Sequence, residues 1–175
     1  MNLYLMRHGI AVAGDDPGLE SDATRPLTPK GIKRIRRASQ GLRRLGLSFD
    51  VVLTSPLARA RQTAAIVAET LHLKDHLEEL AELAPQHSPD QLVTALTRFN
   101  DQKDLLLVGH EPLLSYAFSY FMGSNNPVSF AVDLKKGSIG CIGIDALPPR
   151  EPGTLQWLLT PKQLRRLGGK KAKEG

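Results

Sequence analysis

Cysteine is almost missing from this sequence of 175 residues, which holds one, Cys141. A lone thiol excludes an intrachain disulfide, and its setting in SIGCIGID, among small and apolar residues with strand character, marks a packing residue rather than a nucleophile. Long apolar runs are missing too. No stretch reaches the ~20 apolar residues that a membrane-spanning helix needs, and no basic segment followed by an apolar signal core opens the chain. A cytoplasmic protein with no membrane partner is expected. Aromatic residues make up 5% of the chain, and none is interleaved with the clustered cations as a stacking platform for single strands requires. A nucleic-acid partner is therefore not expected despite the net charge of +5. No internal repeat is present.

What is there, 41% hydrophobic and 23% charged residues, suffices for one packed domain. The reading places that domain at residues 1–164 and a basic flexible tail at 165–175, where GGKKAKEG offers nothing to bury. Much of the remaining positive charge lies in KGIKRIRRASQGLRRL. There Ile32, Ile35, Ala38, Leu42 and Leu45 recur at helical spacing and leave the arginines on the other, solvated face. Thr28-Pro29 supplies an N-cap and first-turn proline for this helix, and Gly46 its stop.

Strands alternate with helices along the chain. NLYLM is a buried strand by length and residue type; FDVVLTS is a second, ending at Ser55-Pro56, which reads as the cap of the helix LARARQTAAIVAETL. LEEL is a short strand, Ser88-Pro89 opens a helix to about Phe99, and DLLLVGH is another buried strand. PLLSYAFSYFM is helical, and SIGCIGID and TLQWLLT are later strands. This alternation predicts an α/β fold of three layers, α/β/α, around a mostly parallel sheet. In such sheets ligands bind beyond the carboxyl ends of the strands. Arg7-His8, Ser55 with Arg59 just after it, and Gly109-His110 all fall at that edge.

Two arginines and two histidines brought together there suit a phosphoryl group. The planar guanidinium fork matches phosphate oxygens, so Arg7 and Arg59 are placed to hold one group from two sides. A neutral imidazole has a lone pair that can attack phosphorus and divide one displacement into two. Neighbouring arginines favour that neutral form, and a second imidazole, if protonated, can donate to a phosphate oxygen. This chemistry implies no metal and no cofactor.

The motifs LMRHG, SPLARARQT and LLLVGHEP resemble the histidine phosphatase superfamily, also called phosphoglycerate mutase-like. TRPLTPKG, LLTPKQL and the short length resemble its small SixA-type branch of phosphohistidine phosphatases, over nearly the whole span from Leu3 to Leu164. The resemblance implies that His8 is the nucleophile, that Arg7 and Arg59 bind phosphate, and that His110 stabilises the transferred group. It also puts Arg25 of TRPLT near the substrate and allows Glu82 of LEELAELAP as general acid. Gly9 would let the backbone turn close to the bound anion, a reading of its flexibility as well. A phosphoramidate nitrogen can be protonated before its bond breaks, so a dedicated acid matters less for phosphohistidine than for an ester. Between Glu82 and Leu105 there is one helix and no room for a large cap, which favours a phosphohistidine-bearing protein as partner, with phosphate ion as product.

Other readings compete with this one. Arg25 can simply pair with an acid, and Arg61 is assigned to solvent or a salt bridge. His72, His76 and His87 form no ligand pattern, and Ser55 lies in no GxSxG elbow, which leaves it as a helix cap. A small-molecule phosphomonoesterase, using Glu82, and a phosphate-binding regulatory module without turnover are the alternatives.

Overall fold

The strand Leu3–Met6 anticipated at the N-terminus is β1 (Asn2–Arg7), and its side chains divide between two separate cores. A computed structural model of the protein describes residues 1–123 and 132–169. In it Tyr4 and Met6 join one apolar cluster, while Leu3 and Leu5 join another on the opposite face. β4 (Asp104–Gly109) divides the same way, with Leu106 and Val108 on the first face and Leu105 and Leu107 on the second. Strands buried on both faces read as continuous apolar runs, which is why NLYLM and DLLLV lack a polar alternation.

β2 (Val51–Thr54), β3 (Leu77–Glu79), β5 (Ile139–Gly143) and β6 (Thr154–Leu159) complete a six-stranded sheet in the order β3-β2-β4-β1-β5-β6. β3, β2, β4 and β1 run parallel, β5 is antiparallel to β1, and β6 is antiparallel to β5. On one face lie α1 (Pro29–Arg44), α2 (Ala58–Leu71) and α5 (Pro161–Leu167); on the other lie α3 (Pro89–Leu96) and α4 (Leu113–Gly123). The three-layer α/β/α arrangement with a mostly parallel sheet is the one expected. The interval between Glu82 and Leu105 holds α3 flanked by short 3₁₀ turns. α3 buries Leu92, Val93 and Leu96 against the sheet, so it is part of a layer and not a cap.

Local signals act largely as read. Thr28 caps α1 by accepting from the Gly31 amide, and Gly46 takes φ +71° at the far end. Leu45, however, lies past the helix and is exposed, outside the apolar stripe assigned to it. Ser88 caps α3 in a reciprocal capping box with Gln91. Cys141 is fully buried.

The C-terminal boundary differs from the expected one. α5 runs three residues past Leu164, and Gly168 and Gly169 are buried beyond it. The reason is a close crossing of α5 over α1: a methyl group at Gly41 would stand 2.3 Å from the Leu164 carbonyl oxygen, and one at Gly168 1.8 Å from that of Arg37. Arg44 of α1 also donates to the Leu167 and Gly169 carbonyls. Glycines that look like tail composition are thus contact points between helices. Residues 170–175 lie outside the described residues.

Candidate active site

Sheet register brings the functional residues together. Arg7 of β1 is paired with Gly109 of β4, and Thr54 of β2 with Val108, so His8, Ser55 and His110 follow on adjacent parallel strands at one edge. The His8 amide donates to the Gly109 carbonyl and the Ser55 amide to that of Val108. The two imidazoles face each other with ring centroids 5.0 Å apart. Both are buried, at 5% and 2% exposure.

The His8 ring orientation has a chemical consequence. Its Nδ1 lies 2.7 Å from the Gly9 carbonyl oxygen, which can only accept, so Nδ1 carries the ring proton. Burial, then the charges of Arg59, Arg7 and Lys136, overcome that hydrogen bond and hold the His8 pKa down to about 4. At neutral pH the ring is uncharged, and the lone pair is on Nε2. His110 is lower still, at about 3, through burial first and then His8 and the arginines. The sequence leaves the charge of the second imidazole open; with protein groups alone around it, His110 is neutral at neutral pH.

Arg7 and Arg59 each retain an unused buried donor. Arg7 Nη1 donates to the Leu134 carbonyl at 2.7 Å, while its Nε has no partner. Arg59, on the first turn of α2 and 4% exposed, donates from Nη1 to the Asp22 carbonyl at 2.8 Å and from Nη2 to the Asp22 carboxylate at 2.9 Å; its Nε is likewise unpartnered. His110 Nδ1 and Arg25 Nε complete a set of buried nitrogens without partners. Leaving one buried donor unmade costs about 1–3 kcal/mol. Several around two histidines describe a pocket suited to a group with many acceptor oxygens.

The supporting residues are partly those expected. Arg25 pairs with Asp22 at 3.0 Å and also contributes to the positive field at His110. Arg61 pairs with Glu79 at 3.4 Å on the surface. His72 ends α2 in the left-handed region, and His76 and His87 hydrogen-bond to the Asp50 carbonyl and to Gln91. Glu82 lines a separate shallow cleft with His87, Asp90 and Gln91, and no hydrogen bond or ion pair among the described residues joins it to either histidine.

Two expectations need correction. Ser55 does not cap α2, whose N-cap is Leu57 with no side-chain bond; its fully buried hydroxyl instead lies 2.8 Å from His110 Nε2 and accepts from the Leu57 amide at 3.3 Å. Gly9 is needed for space rather than flexibility. Its φ is not in the left-handed region, but a Cβ there would come within 2.7 Å of Ile35 and 3.2 Å of Leu27.

Sequence reasoning missed Asp22 and Thr63. Asp22 opens a short 3₁₀ turn, Asp22–Thr24, in a polar stretch with no periodicity, and its partner Arg59 is distant in sequence. Thr63 is a buried hydroxyl on α2 that accepts from the Gly9 amide at 3.0 Å and donates to the Arg59 carbonyl at 2.7 Å, tying the loop after β1 to α2. Its spacing of one helical turn from Arg59 is the one signal that pointed to it.

The depressed histidines tie stability to pH. The unfolded state binds protons at a pKa of about 6.5, more tightly than the folded state at about 4 and about 3. Stability is therefore retained above about pH 6.5 and lost as pH falls toward the folded values, by up to about 1.4 kcal/mol per unit for each histidine. Urea midpoints measured between about pH 7 and pH 4 should decline, and less steeply in His8→Asn. Parallel profiles for the two proteins would contradict a buried neutral His8.

Three comparisons with known proteins agree with this geometry. A family profile described as histidine phosphatase superfamily (branch 1) matches residues 3–87. The phosphohistidine phosphatase SixA homolog of Haemophilus influenzae is 30% identical over 74% of this chain and 82% of its own length. Phosphohistidine phosphatase SixA of Escherichia coli is 28% identical over 94% of this chain and 97% of its own. A solved structure of the protein histidine phosphatase SixA complexed with tungstate superposes with a TM-score of 0.81 and 27% identity, covering 94% of this chain and 99% of that one. Shared sequence, shared fold and the histidine pair at the strand edge lead to one conclusion: the chain belongs to the histidine phosphatase superfamily, on its SixA-like branch.

Proposed function

We propose that the protein is a phosphatase that removes the phosphoryl group from phosphohistidine on a signalling or phosphotransfer protein, through a phospho-His8 intermediate. The observation that carries this reading is the His8 ring: a buried neutral imidazole with its proton committed to the Gly9 carbonyl and its Nε2 lone pair free. Nε2 attacks phosphorus, the bond from phosphorus to the substrate nitrogen breaks with its electron pair passing to that nitrogen, and the substrate ring, already protonated on its other nitrogen, leaves as neutral imidazole. Water then attacks phosphorus on His8, the new P–N bond breaks, and inorganic phosphate departs with Nε2 restored. Arg7 and Arg59 balance the charge on the oxygens in both steps. Tungstate, the ligand in the SixA structure, is a tetrahedral oxyanion like phosphate, which supports an anion at the equivalent place.

His110 takes part without ionising. When the Ser55 hydroxyl donates to Nε2, the ring proton sits on Nδ1, the buried nitrogen that has no protein partner, and a neutral donor faces the phosphoryl oxygens. Ser55 is thus a positioning residue that sets the His110 tautomer. Ser55→Ala should lower kcat about tenfold, the loss of one buried hydrogen bond of about 1.4 kcal/mol. It should also move the acidic limb of the pH–rate profile, whereas Ser55→Thr keeps it. An unchanged kcat and profile in Ser55→Ala would remove Ser55 from this role.

The leaving group supports a phosphoramidate over an ester. An alkoxide needs a proton donor, and no hydrogen bond or ion pair among the described residues joins Glu82 to either histidine. The strand edge, over which the described residues build no large cap, suits a phosphorylated side chain presented by another protein. The test is release of inorganic phosphate from a histidine-phosphorylated protein in the presence of a chelator. Release supports the reading; turnover of a small phosphate ester instead would assign the chain to the phosphomonoesterases of its superfamily.

A further inference from the structure

Some surface cations are paired with carboxylates: Arg61 with Glu79, Lys74 with Glu69, Arg98 with Glu78. A cluster beside the candidate active site is not. Arg34 of α1, Lys135 and Lys136 before β5, and Lys162 and Arg165 of α5 line a groove of about 630 Å³, and none of them forms an ion pair among the described residues. Among the described residues, Asp133 is the one acid on its wall. Burial and the neighbouring charges of Arg34 and Arg37 push the Arg165 pKa down, a sign of positive field left unbalanced.

The groove runs into the candidate active site. Arg7 belongs to its wall, and Lys136 is close enough to disfavour a charge on His8. Lys135, Lys136 and Lys162 are exposed. Strongly hydrated ammoniums on flexible stems at a rim attract over a distance and grip weakly at contact, which suits an approaching charged surface better than a small metabolite. Among the described residues no aromatic side chain lines the groove, and none there offers a base a surface to stack on.

We propose that this groove is a docking surface for an acidic face of the phosphohistidine-bearing protein, whose Asp and Glu side chains beside the phosphohistidine settle against Arg34, Lys135, Lys136, Lys162 and Arg165 while the phosphoryl group reaches Arg7 and His8. The proposal rests on the phosphohistidine reading above and adds the chemistry of the partner. It also gives this cluster of positive charge a role without nucleic acid.

The test compares two substrates: a histidine-phosphorylated carrier protein with clustered Asp and Glu around the phosphorylated histidine, and free phosphohistidine. In the double variant Lys135→Glu/Lys162→Glu, kcat/KM for the carrier should fall about tenfold or more at low salt, and the wild-type value should itself fall as salt is added. Turnover of free phosphohistidine should stay within about twofold of wild type, which also shows that the variant is folded. Equal losses on both substrates would make the groove part of the phosphoryl pocket, and no loss on the carrier would deny docking; either overturns the proposal. Binding of a single-stranded oligonucleotide that the double variant abolishes would assign the groove to nucleic acid and overturn it as well. A wild type inactive on both substrates is a separate result, and it sinks the phosphohistidine reading together with the docking built on it.

Discussion

His8→Ala should abolish phosphate release, lowering kcat by about 1,000-fold or more, because it removes the atom that we propose carries the phosphoryl group. The expectation follows from the ring's surroundings. Gly9 fixes the proton on Nδ1, burial and the arginines keep the ring neutral, and no other imidazole has a free nitrogen in the same position: His110 Nε2 is engaged by Ser55. The substitution should spare the fold, since the His8 backbone amide keeps its bond to Gly109, and the Gly9 amide keeps its bond to Thr63. Circular dichroism of the variant should match wild type. A variant that retained full activity would exclude His8 as nucleophile.

Arg59→Ala should cost about 2–4 kcal/mol of transition-state stabilisation, roughly 30- to 1,000-fold in kcat/KM. The guanidinium is 4% exposed and stands where the strand edge meets α2, so the field it sets up is not screened by bulk water. Asp22 occupies both terminal nitrogens and balances part of the charge that burial would otherwise penalise. Arg59→Lys should recover little, because an ammonium cannot hold Asp22 and a phosphoryl oxygen with one planar fork. Steady-state kinetics on a phosphohistidyl protein check this, and unchanged kcat and KM would remove Arg59 from the site.

Much of this arrangement is legible in the amino-acid sequence. The apolar runs NLYLM and DLLLV have to be strands buried on both faces, and runs that stop at a cation or an imidazole place those residues at the sheet edge. Thr28, Ser88 and Gly46 act where their chemistry puts them. What stays hidden depends on contacts between distant segments. A serine before a proline reads as a helix cap, and the sequence holds no sign that the Ser55 hydroxyl meets His110 across the strands instead. Gly9 reads as a flexible turn, although the demand on it comes from Ile35 packing against it. The glycines after Leu167 read as tail because a helix crossing is invisible in one segment alone.

The most direct test of the central claim is rapid quenching of a single turnover on a histidine-phosphorylated protein, followed by mapping of any phosphoryl group on the enzyme under alkaline conditions that preserve phosphohistidine. The account predicts a transient, acid-labile phosphoryl group on His8 that forms and decays at rates consistent with kcat and is absent from His8→Ala. Phosphate release at the wild-type rate with no phosphoryl group on His8, or with the group on another residue, would contradict it.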